Sequence, residues 1–190
     1  MTYDLPRPAG RLLLTPEDKE APARTRRLRG LGLGEHPEPA LDAFADHLAE
    51  RTSAPYAMIN FIDEHRQFFA GLRVPLVAPR TASDEVKPEI GRSMERDHGF
   101  CPHVVVRRKA LVLEDVRDYP RFAGNPVVDE FGIRSYLGAP LIDSSGMVLG
   151  TVCVADIEPR AWGKAGLDTI KSTAADLVGR LARREADGIF

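Results

Sequence analysis

The chain has 190 residues, a formal net charge of −2, 43% hydrophobic residues and 28% charged residues. These values fit one globular domain with flanking segments, and they exclude the strongly basic surface that attracts nucleic acid or anionic lipid. With two cysteines and no apolar run as long as a signal peptide core or a membrane span, we expect a cytoplasmic protein in a reducing compartment.

The first 35 residues are predicted to form an N-terminal arm that leads into the domain at residues 36–190. Residues 1–30 combine prolines with the basic run RTRRLRG and show no sustained period, which is typical of a loosely ordered segment. The glycines of GLGLG, at 30–34, lack the spacing of a dinucleotide-binding loop and predict a hinge before a helix.

The first half of the domain predicts a helix and then a hairpin. Apolar residues recur at helical spacing over residues 39–52, and Pro39 suits the first turn of such a helix. The strand-forming runs at 56–63 and 67–74 are separated by a short polar turn and predict a β-hairpin. Residues 75–92 contain three prolines and predict an irregular crossing segment.

The second half predicts a short helix opened by Pro102, a strand at 110–116 and a helix closed by Gly132. SYLGAPLID and MVLGTVCVAD, joined by SSG, predict a second hairpin. A long helix follows, and its apolar residues recur at steps of three and four as in the seam of a coiled coil: Leu167, Ile170, Ala174, Leu177 and Leu181.

This order of elements predicts an α+β fold with a central antiparallel sheet of five to six strands. The terminal helices would cover one face of the sheet, and loops and short helices of residues 75–133 would roof the other. A sheet with such a roof tends to enclose a small-molecule pocket.

The successive motifs of the chain resemble those of a GAF domain, a sensor module that binds small molecules and is a relative of the PAS domain. The resemblance runs from about residue 36 to about residue 186 and rests on five stretches in order: YAMINFIDEHRQFFAGL, FCPHVV, LVLEDVRDYPRFAGNPVV, GIRSYLGAPLI and VLGTVCVAD. It implies a ligand pocket on one face of the sheet and terminal helices that often pair two domains.

From this resemblance we expect a pocket between the sheet and residues 92–136, with an unknown small-molecule ligand. We also expect a homodimer through the terminal helices, a separate output protein, and no nucleic acid or membrane partner. The residues expected to line the pocket are Phe61, Arg92, Met94, Phe100, Cys101, Tyr119, Phe122, Ile133 and Tyr136. Asp115 and Arg121 are expected to fix their loop, and Gly138 and Gly150 to mark close backbone approach.

The stretch GFCPHVV, at 99–105, leaves several chemistries open. Cys101 and His103 could be two ligands of a metal, but no further Cys or His pair has metal-site spacing, so no metal is expected. In a helical turn the two side chains would point to different sides, which disfavours a thiol with its base. Bilin-binding and haem-binding members of the family make a tetrapyrrole possible, although no cofactor is required.

Three functions follow, in order of preference. The first is a sensory or regulatory GAF domain that is not an enzyme and signals through its terminal helices. The second is a dimerisation or docking module whose pocket is filled by its own side chains. The third is a redox sensor or enzyme centred on Cys101, in which Cys153 is core or pocket floor rather than a resolving thiol.

Overall fold

The computed structural model describes residues 15–77, 80 and 86–189. The predictions for residues 1–14, and those for most of 78–85 in the crossing segment, lie outside these residues. The helices are α1 (Ala21–Gly30), α2 (Pro39–Thr52), α3 (Cys101–Arg107), α4 (Pro120–Ala123), α5 (Pro126–Phe131) and α6 (Gly163–Ala186), with a 3-10 helix at Val116–Asp118. The strands are β1 (Tyr56–Ile62), β2 (Arg66–Arg73), β3 (Ser93–Glu95), β4 (Leu111–Leu113), β5 (Ser135–Ile142) and β6 (Val148–Asp156).

The six strands form one antiparallel sheet in the order β3-β2-β1-β6-β5-β4. Both predicted hairpins are confirmed, since β1 pairs with β2 and β5 pairs with β6. The central strands β1 and β6 pair with each other, with Asn60 opposite Thr151 and Met58 opposite Cys153. Both strands are buried along their whole length, so both of their faces contact other layers of the domain.

One face of the sheet packs against α2 and α6, as predicted. Ile170, Ala174, Leu177 and Leu181 of α6 are buried in this layer together with Leu41 and Leu48 of α2. The apolar seam of the last helix is therefore largely satisfied by the chain's own sheet, because burial against β5 removes it from water. The seam by itself does not require a second copy of the chain.

The prediction of a loosely ordered segment is wrong for residues 21–30, which form α1. This helix contacts the end of β1, where Arg24 Nε donates to the carbonyl oxygen of Ile62 at 2.7 Å. Arg27 binds Asp143 at 2.7 Å and Glu185 of α6 at 2.7 Å. The basic run gave no helical period in the sequence because its arginines are on both sides of the helix: Arg24 is buried, whereas Arg26 and Arg29 are exposed.

The other face of the sheet is covered by α3, α4, α5 and the loops between them, which we call the roof. Its core includes Val104, Val116, Phe122, Val127 and Ile133. Asp115 fixes its loop as predicted, accepting hydrogen bonds from the Arg117 amide at 3.1 Å and from Arg134 Nε at 3.0 Å. Gly132 ends α5 in a left-handed conformation. Among the described residues, no helix has the length and apolar character needed to cross a membrane.

Candidate functional site

The two faces of β1 and β6 carry different side chains. On the helix side these strands present Ile59, Phe61, Val152 and Val154. Phe61 was predicted to line the roof pocket, and this is wrong, because the alternation of β1 turns its ring towards the helices. Both faces of β1 are apolar enough for a core. The sequence therefore did not show which set of alternate residues faces the roof.

The roof-facing side of β1, β6 and the neighbouring strand β2 carries a row of buried polar side chains, which we call the buried polar row: Gln67, Asn60, Thr151 and Cys153. Each has at most 1% of its surface exposed. Asn60 Nδ2 donates to Gln67 Oε1 at 2.9 Å. Gln67 Nε2 in turn donates to the carbonyl oxygens of Glu95 at 2.7 Å and His98 at 2.6 Å, which ties the row to the chain leading into the roof.

Two atoms of the buried polar row have unused hydrogen-bonding capacity. Asn60 Oδ1 and Thr151 Oγ1 are buried and have no hydrogen bond of ordinary geometry among the described residues, although the Thr151 side chain interacts with both cysteine sulfurs closely enough to lower their pKa values. The two residues are opposite each other in the pairing of β1 with β6. Leaving a buried polar group unpaired costs about 1–3 kcal/mol, so such atoms are uncommon in folded interiors unless another molecule satisfies them.

The row ends at a cluster of three sulfur and hydroxyl groups. Cys101 Sγ lies 3.7 Å from Cys153 Sγ and 3.3 Å from the hydroxyl of Tyr136. Cys101 is the first residue of α3 in the roof, whereas Cys153 is in the middle of β6. The cluster therefore joins the roof to the centre of the sheet. Cys153 is in the roof-side core, one of the two positions predicted for it, and it also contacts the other cysteine, which the prediction did not foresee.

The two thiols do not titrate alike. The hydrogen bond from Cys153 lowers the pKa of Cys101 to about 6 against the opposing effect of burial, with smaller contributions from Thr151, Tyr136 and Asn60. The hydrogen bond with Cys101, together with burial, raises the pKa of Cys153 well above its usual value. The two thiols are therefore coupled, and the loss of one proton from the pair disfavours the loss of the second.

An aromatic cluster closes the roof beside these thiols. The Phe100 ring makes edge contacts with Tyr136 and Phe122, with centroids 5.2 Å and 5.8 Å apart. All three rings are buried. A tetrapyrrole attached at Cys101 would have to displace this cluster, and a smaller ligand would have to enter beside it.

His103 has partners different from those of Cys101, as its position two residues later predicts. Its ring contacts Phe122 edge to face at a centroid distance of 4.9 Å. Burial, together with the charges of Arg121 and Arg107, lowers the pKa of His103 to about 4, so the ring is neutral at pH 7. Its Nδ1 atom, like Asn60 Oδ1 and Thr151 Oγ1 on the sheet, is buried without a hydrogen bond of ordinary geometry among the described residues.

The remaining predicted residues make other contacts, and among them Met94 of β3 is paired with Gln67 of the buried polar row. Arg92 makes a two-pronged ion pair with Asp42 of α2, at 3.0 Å and 2.9 Å, and donates to the carbonyl oxygen of Phe69 at 3.1 Å. Its guanidinium therefore fixes the edge of the sheet to α2. Tyr119 is 38% exposed on the outside of the roof. Met94 and Ile133 pack on the roof-side core.

Close backbone approach explains Gly150, as predicted, whereas Gly138 makes room for a side chain. The Tyr136 hydroxyl lies over Gly138, where an added Cβ would be 2.2 Å from it. At Gly150 an added Cβ would be 1.8 Å from the carbonyl oxygen of Asn60. Gly138 thus leaves room for the tyrosine that reaches Cys101, and Gly150 lets β6 approach β1 beneath the row.

Sequence reasoning missed Asn60, Gln67 and Thr151. The available signal was a polar residue inside a strand that is apolar on both sides, as Asn60 is within YAMINFI. Such a residue is seldom buried without a bonding role. Among the described residues, no three His, Cys, Asp or Glu side chains converge as ligands of a metal would.

Comparison with known proteins agrees with this architecture. The chain is 34% identical over 149 residues to the cyclic di-GMP phosphodiesterase PA2567 of Pseudomonas aeruginosa, an alignment that covers 76% of this chain but 22% of the relative. The GAF domain of a phosphoenolpyruvate-protein phosphotransferase from Coxiella burnetii superposes with a TM-score of 0.58 at 18% identity, covering 88% of this chain and 96% of that one.

The free methionine-R-sulfoxide reductase of Neisseria meningitidis, solved with its substrate, superposes with a TM-score of 0.58 at 16% identity, covering 90% of this chain and 96% of that one. At these identities the two structures show a shared fold and nothing more. The GAF domain family itself matches residues 36–181, most of the length of the chain. This match, together with the six-stranded sheet between a helical layer and a roof, shows that the chain belongs to the GAF domain family.

Proposed function

We propose that this chain is a cytoplasmic sensory module, not a catalyst, and that it binds a small polar molecule over the buried polar row. The observation that carries the proposal is the pair of buried atoms, Asn60 Oδ1 and Thr151 Oγ1, that have no hydrogen bond of ordinary geometry among the described residues and belong to paired positions beneath the roof. An amide oxygen and a hydroxyl can accept and donate hydrogen bonds to a ligand that has both types of group. The apolar roof around them would exclude water and strengthen those bonds.

The central strands offer a direct route for a signal. Asn60 and Thr151 are followed in their strands by Phe61 and Val152, which face α2 and α6. A ligand that shifts β1 against β6 would therefore change the packing of the terminal helices. Such coupling requires that the ligand bind one of two packing arrangements more tightly than the other. The coupling free energy equals the difference between the two binding free energies.

A dimer and a separate output protein belong to the same proposal. Since the seam of α6 is largely buried against its own sheet, a second copy would have to use the outer surfaces of α2 and α6, where Arg180 lies over the ring of Phe44 at 5.1 Å. The molar mass in solution, measured by light scattering, tests the dimer. The P. aeruginosa relative is named for cyclic di-GMP turnover, which makes a phosphodiesterase a reasonable output to try.

The ligand proposal is tested with a filtered bacterial metabolite extract as the probe. We expect an extract fraction to raise the melting temperature of the wild-type chain and to leave a retained mass in native mass spectrometry. Asn60→Leu and Thr151→Val should abolish both effects, because each removes one of the unused polar atoms. Thr173→Val is the matched control, since Thr173 is buried on the helix side and its hydroxyl donates to the carbonyl oxygen of Thr169 at 2.7 Å.

A second candidate function is favoured by the aromatic cluster of Phe100, Phe122 and Tyr136. These rings fill the roof beside the polar row, as they would in a docking module that binds no ligand. If no fraction stabilises the wild-type chain, and if the control and the two row variants behave alike, the docking function replaces the sensory one.

A further inference from the structure

The two cysteines of the chain are brought together from distant positions in the sequence. They are 52 residues apart, and their sulfur atoms are 3.7 Å apart in the folded domain. The full sequence contains no other cysteine, so a disulfide within one chain can form in only one way. Both residues are free thiols in this structure, and both are buried.

The surroundings of the pair distinguish the two sulfurs. Cys101 keeps 6% of its surface exposed, whereas Cys153 is fully buried. The Tyr136 hydroxyl is placed to donate a hydrogen bond to Cys101 Sγ at 3.3 Å, which favours the thiolate at that position. Cys101 is therefore the sulfur that we expect to react first with a small oxidant, and Cys153 is the sulfur placed to form a bond with it.

We propose that Cys101 and Cys153 form a reversible disulfide when the protein meets hydrogen peroxide. The Cys101 thiolate attacks one peroxide oxygen, the O–O bond breaks, and the sulfur becomes a sulfenic acid while the second oxygen leaves as hydroxide and takes up the thiol proton. Cys153 sulfur then attacks Cys101 sulfur, the S–O bond breaks, and the Cys153 proton leaves with the oxygen as water. Two thiols are oxidised, and one peroxide is reduced to two waters. A dithiol reductant reverses the modification.

The disulfide would staple the roof to the centre of the sheet. Cys101 begins α3 directly after Phe100 of the aromatic cluster, and Cys153 is two residues after Thr151 in the same strand. Oxidation would therefore restrict any motion that lifts α3 from β6. Formation of the disulfide does not depend on the proposed ligand, so it is tested by a separate measurement.

The test uses the purified chain with hydrogen peroxide and then with dithiothreitol. After peroxide, the intact mass should fall by two hydrogens, and a maleimide added under denaturing conditions should label no cysteine instead of two. Tryptic digestion should give peptides 97–107 and 135–160 joined by a bond that dithiothreitol breaks. In Cys153→Ser, Cys101 should stop at a sulfenic acid that dimedone captures, and in Cys101→Ser, Cys153 should stay reduced.

The wild-type measurement decides the proposal even if a serine variant fails to fold. Two maleimide-reactive thiols after peroxide, separate oxidation of each sulfur without joined peptides, or a bond between two chains would each overturn it. Oxidation of Cys153 in Cys101→Ser at the wild-type rate would overturn the assignment of Cys101 as the attacking sulfur.

Discussion

The helix-facing and roof-facing sides of the central strands differ although their residues alternate in the same sequence stretches. On the helix side, Ile59 and Val152 pack with the apolar stripes of α2 and α6. On the roof side, Asn60 and Thr151 bring polar atoms into an equally buried environment and leave two of them unpartnered among the described residues. Arg24 and Trp162 also have unpartnered N–H groups, but they belong to α1 and to the residue before α6, outside the sheet.

This difference indicates a division of roles. Apolar burial at about 25 cal/mol per Å² makes both sides contribute to stability, with the larger apolar cluster on the helix side. The roof side gives up part of that stability to keep polar and sulfur groups away from water, which is a common cost of a functional site.

Gly150→Ala should disrupt both sides at once, because the new Cβ would lie 1.8 Å from the carbonyl oxygen of Asn60 in the neighbouring strand. Backbone atoms of paired central strands cannot move apart without breaking the sheet, so we expect a loss above about 4 kcal/mol in the free energy of unfolding. Chemical denaturation measures it. Gly124→Ala is the control, since its Cβ would meet nothing within 4 Å. Equal stability of the two variants would show that β1 and β6 are not so closely paired in solution.

Leu177→Ala should weaken the helix side alone. Leu177 is 1% exposed in the core under α6, and truncating such a residue costs about 3 kcal/mol. Leu167→Ala, at a half-buried position of the same helix, should cost less than half as much. While the variant is still folded, its Cys101–Cys153 bond should form at the wild-type rate, because those sulfurs are on the other face. A slower rate would mean that the two faces are coupled.

The helix side could be predicted from the sequence more fully than the roof side. Periodicity predicted α2 at its observed bounds of 39–52, because a stripe of apolar residues on a helix usually packs against the core. Runs of strand-forming residues separated by short turns predicted both hairpins. Phe61 was assigned to the wrong face because Met58 and Ile59 are equally apolar neighbours. The contact between Cys101 and Cys153 depends on how α3 packs on β6. A local sequence pattern does not predict such a contact between distant residues.

Acid should destabilise the roof side through His103. The pKa of His103 is lowered from 6.5 to about 4 by burial and by Arg121 and Arg107, so between these values the unfolded chain binds more protons than the folded one. Stability therefore falls as the pH falls through this window, by up to about 1.4 kcal/mol per pH unit, and this contribution levels off below pH 4. His103→Gln should remove that part of the slope, which denaturation at a series of pH values measures. An unchanged slope would show that the ring is not buried in solution.

Thr151→Val should change the free energy of unfolding least, and whether that free energy rises or falls is informative. Valine has nearly the same shape as threonine and removes a buried hydroxyl that has no hydrogen bond of ordinary geometry among the described residues, so the free energy of unfolding should rise by about 1 kcal/mol. Thr173→Val should lower it, because the Thr173 hydroxyl donates to the Thr169 carbonyl oxygen at 2.7 Å. Opposite signs for the same substitution would show that the roof holds a polar group at the expense of stability, as a binding site does. If both variants are destabilised, the Thr151 hydroxyl is already bonded within the chain, and the buried polar row is part of the core.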